Sequence, residues 1–551
     1  MNPIVRKEWL DLFRTRTALV GLAGIAATAA AMVMARWPDS GVGDLNGAAG
    51  VQVLRVFGYG LLACLVLVLP AFPATTLVRE RVQGTLALLL NSPLSVWSIV
   101  WGKVGGFLGF TAVLLAVTLP AAAACYTLGG SSLSGGIGLL YLVLGATALQ
   151  LTSLCLFVSS RAQSTDGALR TAYSAVLGLI VLPLTAHWLV PPDSPLLTAL
   201  AAWLGCFSPV PAAMEAVGQG AAGIAGTEYQ TGAVGRYLIL AGLTSAGFLA
   251  ATLVRMGRAP LDLARPPGVM TEDRSRGQRR ARQLLFLVDP RRRSNCIGRF
   301  VNPVMVKEFR TRRFGRLNWT LRLVGLCAIL SVGLSYLAAA GALGWGVEVM
   351  AGALILLQSA ILILFAPSLS AGLISTEREG GGWNLLRMTP LSPGRILRGK
   401  LLSALLPVMP VFCATLPGYL VMMSITPELA ARIPRVLGSL AFTAAFTILV
   451  GATASSLFRT TAGATAAAFL TVASVCIAPF LIWFGRETPF GHSTVTAALT
   501  ISPVATALQS ADTPGFSQYE LYPNNWWIIG SACAAMLVFL TVRVRQLCRP
   551  E

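Results

Sequence analysis

The sequence predicts an all-α polytopic membrane protein, with twelve transmembrane helices arranged as two parallel six-helix repeats. Three observations carry this expectation. Hydrophobic residues make up 55% of the 551 residues and charged residues only 12%, about half the charged share of a soluble globular chain. Apolar runs long enough to cross a bilayer recur throughout, and the mean hydropathy is +0.71. The second half of the chain also restates the first at a nearly constant spacing.

A spanning helix needs about 20 mostly apolar residues to cross a hydrocarbon core of about 30 Å. That rule places spans near 18–35, 52–78, 104–126, 138–158, 172–190 and 236–256, then near 319–340, 347–374, 401–424, 434–454, 462–484 and 525–545. The runs lack the two-residue alternation of a barrel, and in lipid a helix satisfies its own backbone. Before the first span, Ile4, Val5, Trp9, Leu12 and Phe13 share one helical face and Lys7, Asp11 and Arg14 the other. This pattern suits a helix lying flat at the interface, or else a solvated amphipathic end. No signal-peptide cleavage pattern follows it.

Orientation follows from the basic residues. With the N-terminus inside, 36 of the 42 Lys and Arg fall on inner segments, which places both termini in the cytoplasm. The net charge of +20 is then a topology signal and an attraction to anionic membrane lipids rather than to nucleic acid.

The repeat is visible residue by residue. Asn2-Pro3 with Lys7-Glu8 recurs as Asn302-Pro303 with Lys307-Glu308. Glu80, Gly84, Leu88, Pro93, Leu94 and Lys103 match Glu377, Gly381, Leu385, Pro390, Leu391 and Lys400 at an offset of 297. Ser159-Ser160 matches Ser455-Ser456, and Ser208-Pro209-Val210 matches Ser502-Pro503-Val504. The expected organisation is a first half over 1–256, a basic cytoplasmic linker over 257–300 and a second half over 301–551. Six spans per half give the halves the same orientation. Most matches lie in the loop between the second and third spans of each half. Such loops read either as a contact surface for a two-fold partner or as turns fixed by Pro93 and Pro390.

The segment Arg79-Glu80-Arg81-Val82-Gln83-Gly84-Thr85-Leu86, running through Ser92-Pro93-Leu94 to Gly102-Lys103, resembles the loop of ATP-binding-cassette (ABC) type-2 permeases. Glu377-Arg378-Glu379 through Thr389-Pro390-Leu391 to Gly399-Lys400 resembles it too. The second copy departs in having Gly381-Gly382-Trp383 where Gly-Thr-Leu is expected, which predicts a looser helix start and a weaker or different dock. The resemblance implies that each loop forms a coupling helix docked on a cytoplasmic ABC ATPase, so two copies of a separate ATPase chain are expected. It assigns contact to Glu80, Arg81, Gly84, Leu88, Pro93, Leu94 and Lys103, and to Glu377, Arg378, Gly381, Leu385, Pro390, Leu391 and Lys400. Glu80 and Glu377 would pair with basic groups of the ATPase, and Leu88 and Leu385 would be apolar plugs. The resemblance also implies an exporter of the inner membrane, with a re-entrant element near Ser208 and Ser502.

Chemistry of its own is not expected of this chain. Gly394-Arg395-Ile396-Leu397-Arg398-Gly399-Lys400 fits seven positions of a P-loop, but Leu401 has no hydroxyl for Mg²⁺ and no strand precedes the segment. No catalytic, cofactor or metal residues stand out, and the ten cysteines are isolated. Arg55 and Glu348 read as snorkelling residues at span ends, and His187 as interfacial. Gln150 and Gln358 read as helix–helix hydrogen-bonders or as polar groups for a substrate. A secondary carrier of the major-facilitator type shares the twelve-span plan, but it usually requires buried carboxylates, which these spans lack. In intact cells, a membrane-impermeant thiol reagent is expected to reach a cysteine placed at Thr227 and to miss one at Ser275; reversed labelling would overturn the topology.

Overall fold

The computed structural model describes residues 3–13, 16–34, 48–127, 136–162, 164–185, 195–218, 232–257, 301–311, 324–325, 327–333, 347–484 and 491–549. All regular elements among them are helical. The chain groups into two compact units, one of residues 1–262 with 480–495 and the other of 263–479 with 496–551.

In the first unit, α1 (Pro3–Phe13), α2 (Arg16–Met34) and α3 (Ala48–Val68) lead to a break at Pro70, after which α4 (Ala71–Val82) continues the same path. The short α5 (Thr85–Leu90) precedes α6 (Val96–Val117), α7 (Leu119–Thr127), α8 (Gly138–Arg161) and α9 (Thr165–Thr185). Then come α10 (Pro195–Gly205), α11 (Pro209–Ala216) and α12 (Ala233–Gly257). The second unit contains α13 (Pro303–Thr311), α14 (Val347–Ser370), α15 (Ser375–Glu379), α16 (Gly382–Arg387), α17 (Pro393–Cys413) and α18 (Leu416–Ile425). It continues with α19 (Ile433–Leu457) and α20 (Thr461–Cys476), then α23 (Pro503–Ser510) and α24 (Asn524–Cys548), while α21 (Ala478–Phe484) and α22 (His492–Leu499) are divided between the two units.

Ten helices among the described residues are long and apolar enough to cross a membrane, and Leu22–Met34 forms a shorter apolar helix. The expected span near 319–340 falls largely outside the described residues, where only 324–325 and 327–333 are helical. Most of the expected linker and His187 lie outside them as well. Gly50–Arg81 runs as 32 residues, or about 48 Å at 1.5 Å per residue. That exceeds a hydrocarbon core of about 30 Å, so the helix is longer than a bare crossing requires.

The α8 helix is the hub of the first unit. It packs on α12, α4, α9 and α6, and two thirds of its most apolar window is buried. Thr147 and Gln150 inside it are paired across helices, which offsets the cost of burying them. Thr147 Oγ1 lies 2.8 Å from Tyr237 Oη, and Tyr237 donates to Gln150 Oε1 at 3.0 Å. Gln150 Nε2 donates to Thr244 Oγ1 and to the Phe207 carbonyl. In the second unit Tyr419 donates to Gln358 Oε1 at 2.9 Å. Both glutamines therefore hold helices together. Between α9 and α12 the chain turns at Ser208, whose hydroxyl accepts from Val210 N. With 11 and 8 residues, α10 and α11 are each too short to span a bilayer. Tyr237→Phe, which removes the hydroxyl linking α12 to α8, is expected to cost about 1 kcal/mol. The check is the thermal unfolding midpoint of the detergent-solubilised protein, and an unchanged midpoint would deny the network a stabilising role.

Candidate functional site

The loops that recur in the two halves fold alike. After α4 the chain reverses at Gly84, and after α15 it reverses at Gly381, with φ of 75° and 73°. Only glycine takes this left-handed conformation without a Cβ penalty, which accounts for the matched glycines. A helix of six residues follows in each case. Leu86 is buried in a cluster with Ile4, Leu77, Val104, Phe107 and Met256, and Leu94 packs against it. Leu88 points the other way and is 72% exposed. In the second unit Trp383 and Leu386 are buried, whereas Leu385 is 72% and Met388 83% exposed. Pro93 and Pro390 are exposed at the turns that follow. The next helix is capped each time by a serine: Ser95 accepts from Ser98 N and Ser392 from Arg395 N.

Beneath these exposed helices lies a buried ion cluster. Lys103 Nζ is 2.8 Å from Glu8 Oε1 and 2.9 Å from Glu80 Oε1, and Lys7 Nζ is 3.1 Å from the same Glu80 oxygen. The Lys103 side chain is 1% exposed. The second unit makes the same set of pairs: Lys400 lies 2.7 Å from Glu308, and Lys307 lies 2.6 Å from Glu377. Lys400 stands 3.8 Å from Glu377 and also donates to the Leu373 carbonyl at 2.6 Å. Among the described residues two cations and two carboxylates meet in each cluster, and pairing of this kind makes buried charge tolerable. Close approach of α1 to α6 is made possible by Gly106, where a Cβ would lie 2.8 Å from Glu8 Cβ.

The cluster engages residues that the sequence reading assigns to the ATPase contact. Glu80 and Lys103 were expected to meet an ATPase, as were their counterparts Glu377 and Lys400. Glu80, Lys103 and Lys400 are buried and Glu377 is largely so, and all four are committed to partners within the chain. The helix turn that carries Arg79 outward carries Glu80 inward toward α1 and α6. Glu8 and Glu308 complete the clusters and were not among the expected site residues. Their signal was the recurrence of Lys-Glu and Gly-Lys in both halves, read only as a repeat.

Arg81 and Arg378 also turn inward. Arg81 donates to the carbonyls of Ala162 and Ser160 at 2.8 and 2.9 Å, and Arg378 to those of Ser456 and Phe458 at 3.1 and 3.3 Å. These carbonyls lie at the ends of α8 and α19, where helices leave acceptors unsatisfied. Ser159 Oγ accepts from Leu77 N and Val78 N, and Ser455 Oγ from Ile374 N and Ser375 N. The two recurring segments are thus bonded to the ends of α8 and α19.

The Gly381-Gly382-Trp383 departure does not loosen its helix. A Cβ on Gly382 would lie 2.3 Å from Glu377 Oε2, so glycine makes room for the carboxylate. Trp383 Nε1 donates to the Leu547 carbonyl at 3.1 Å, pinning α16 to the end of α24. The P-loop-like segment is simply the beginning of α17, with Lys400 engaged as described. Arg55 donates to the Gly218 carbonyl at 2.7 Å, beyond the end of α11. Glu348 is exposed at the start of α14. Among the described residues no group of His, Cys, Asp or Glu could hold a metal ion.

Lys103→Met leaves Glu8 and Glu80 buried without their cation and is expected to destabilise the first unit by about 3–5 kcal/mol. Adding Glu8→Gln and Glu80→Gln should recover much of this loss. Thermal unfolding of the two variants checks it; equal midpoints for Lys103→Met and the wild type would contradict the cluster.

No curated protein matches the chain. The family model described as ABC-2 type transporter matches residues 3–217, a stretch that takes in the first ion cluster and the exposed helix α5, so this part of the chain is similar to the membrane domains of that family.

Proposed function

We propose that this multi-pass protein is the tandem permease of an ATP-binding-cassette exporter of the inner membrane. Twelve spans form the pathway, and both termini and the linker over 257–300 are cytoplasmic. Separate ATPase chains, two copies in all, dock at 79–103 and 375–400. Membrane domains of this family serve as permease components alongside ATPase subunits, so the kind of partner follows from the family. No observation favours a major-facilitator-type carrier.

The observation that carries the coupling reading is an exposed apolar side chain on a firmly based helix, present once in each unit. Leu88 and Leu385 stand out from helices whose bases are fixed by buried ion pairs. A single exposed leucine means little; an exposed leucine at the same place in both loops, on a braced helix, has the form of an interface anchor. Closure of the ATPases around ATP would press on these helices. Because α4 and α5 are bonded to α1, α6 and α8, the push would move those elements together and reverse access to the pathway. Arg81, Lys103 and Glu80 then act within the permease as transmitters, while Leu88, Pro93 and their counterparts make the outward contact.

The test is co-expression of the full chain with each P-loop-containing ABC ATPase of the same genome. Leu88→Ala with Leu385→Ala is expected to leave membrane insertion intact and to weaken retention of the ATPase about thirtyfold or more. Full retention by the double variant would overturn the coupling assignment.

A further inference from the structure

The two coupling helices begin and end alike, yet they do not present the same chemistry. We infer that the docks are unequal, and that the one on α16 is the tighter, fitted to a protein groove with an apolar floor and acidic residues beside it. This rests on the coupling reading above; of the sequence expectation of a weaker or different second dock, it keeps the difference and reverses the strength.

Equal length and the same left-handed glycine give α5 and α16 the same start. The difference lies in what they display. Three residues after Leu88 the first helix presents Asn91, whereas three residues after Leu385 the second presents Met388. An amide entering a groove must exchange its water for matching partners. A methionine, by contrast, adds flexible apolar surface that adapts to an irregular groove. Leu385 and Met388, at 72% and 83% exposure, form a two-residue apolar tip where α5 has one.

The base differs as well. Leu86, at the position matching Trp383, is held by apolar contacts that include Met256 of α12. Trp383 donates to the Leu547 carbonyl, and Arg387 donates to the carbonyl of Arg549. Directional bonds to the end of α24 hold α16 in place before any partner arrives, and such preorganisation lowers the cost of binding.

Charge completes the contrast. Exposed Arg395 and Arg398 follow the second tip, where the first unit has Ser98 and the exposed Trp101. The one exposed carboxylate nearby, on Glu379, is occupied by Thr461 N and Oγ1. A partner with carboxylates beside its groove would complement this surface, and its binding would weaken with salt.

The experiment uses the full chain in phosphatidylcholine nanodiscs and the ATPase identified by the co-expression test. Its affinity is measured for Leu88→Ala, Leu385→Ala, Asn91→Met, Met388→Asn and the pair Arg395→Gln with Arg398→Gln. Met388→Asn is expected to weaken binding about tenfold and Asn91→Met to strengthen it by a similar factor. Leu385→Ala should cost more than Leu88→Ala, and the arginine pair should remove most of the salt sensitivity. A larger loss from Leu88→Ala than from Leu385→Ala, or no effect of Met388→Asn, overturns the unequal docks. An arginine effect seen only when anionic lipid is added assigns that pair to headgroups and overturns the acidic partner surface. If none of the four tip variants changes affinity, the coupling reading itself falls.

Discussion

A lysine ammonium enclosed between two carboxylates is the interaction on which the first unit depends. Lys103 sits at 1% exposure, within 3 Å of both Glu8 and Glu80, and its removal would leave two buried carboxylates short of a cation. The three residues come from three separate elements, α1, α6 and the end of α4. Fixing their charges therefore fixes the crossing of those helices. The apolar cluster around Leu77, Val104 and Phe107 supplies bulk but little direction, since dispersion and area burial accept many arrangements. Ion pairs at hydrogen-bond distance accept few.

The surroundings follow from that anchor. With α4 held against α6, its last turn is in position for Arg81 to satisfy carbonyls at the end of α8 and for the amides of Leu77 and Val78 to reach Ser159. The exposed α5 is left as the free corner of a braced frame. In the second unit Lys400 and Glu308 hold α17 to α13 in the same manner, with Trp383 adding a strut to α24. Stiffness here comes from a few directed polar bonds around an apolar core, the arrangement needed to carry a displacement without absorbing it.

Much of this was legible in the sequence, and the limits have physical causes. Apolar run length located the spans because lipid imposes it directly. It misplaced their ends wherever charge is paired: the second span was expected to stop near residue 78, yet the helix runs to Arg81, since Glu80 and Arg81 find partners. Likewise α6 begins at Val96 rather than near 104, with Lys103 inside it. Gly84 and Gly381 were recognisable as matched positions because a left-handed turn leaves no other residue as comfortable. Leu88 and Leu385 were singled out through the family resemblance, since a continuous Leu stretch has no period of its own to show which members face outward. Glu8 escaped because a carboxylate on a short amphipathic helix reads as solvated, and its partner lies 95 residues away. The helix-loosening expected of Gly381-Gly382 failed because Gly382 makes room for Glu377, a contact that no local rule contains.

The neutrality of the cluster belongs to the group and to none of its members. Lys7, Glu8, Glu80 and Lys103 balance only as a set, so the loss or reversal of one charge leaves the other three worse placed than before. A neutral path from one sequence to another must then change two of these positions almost together, or pass through a crippled intermediate. Leucines elsewhere in the spans can be exchanged for valine or alanine one at a time. The four charged residues are in effect a single inherited character, written at three separate places in the sequence.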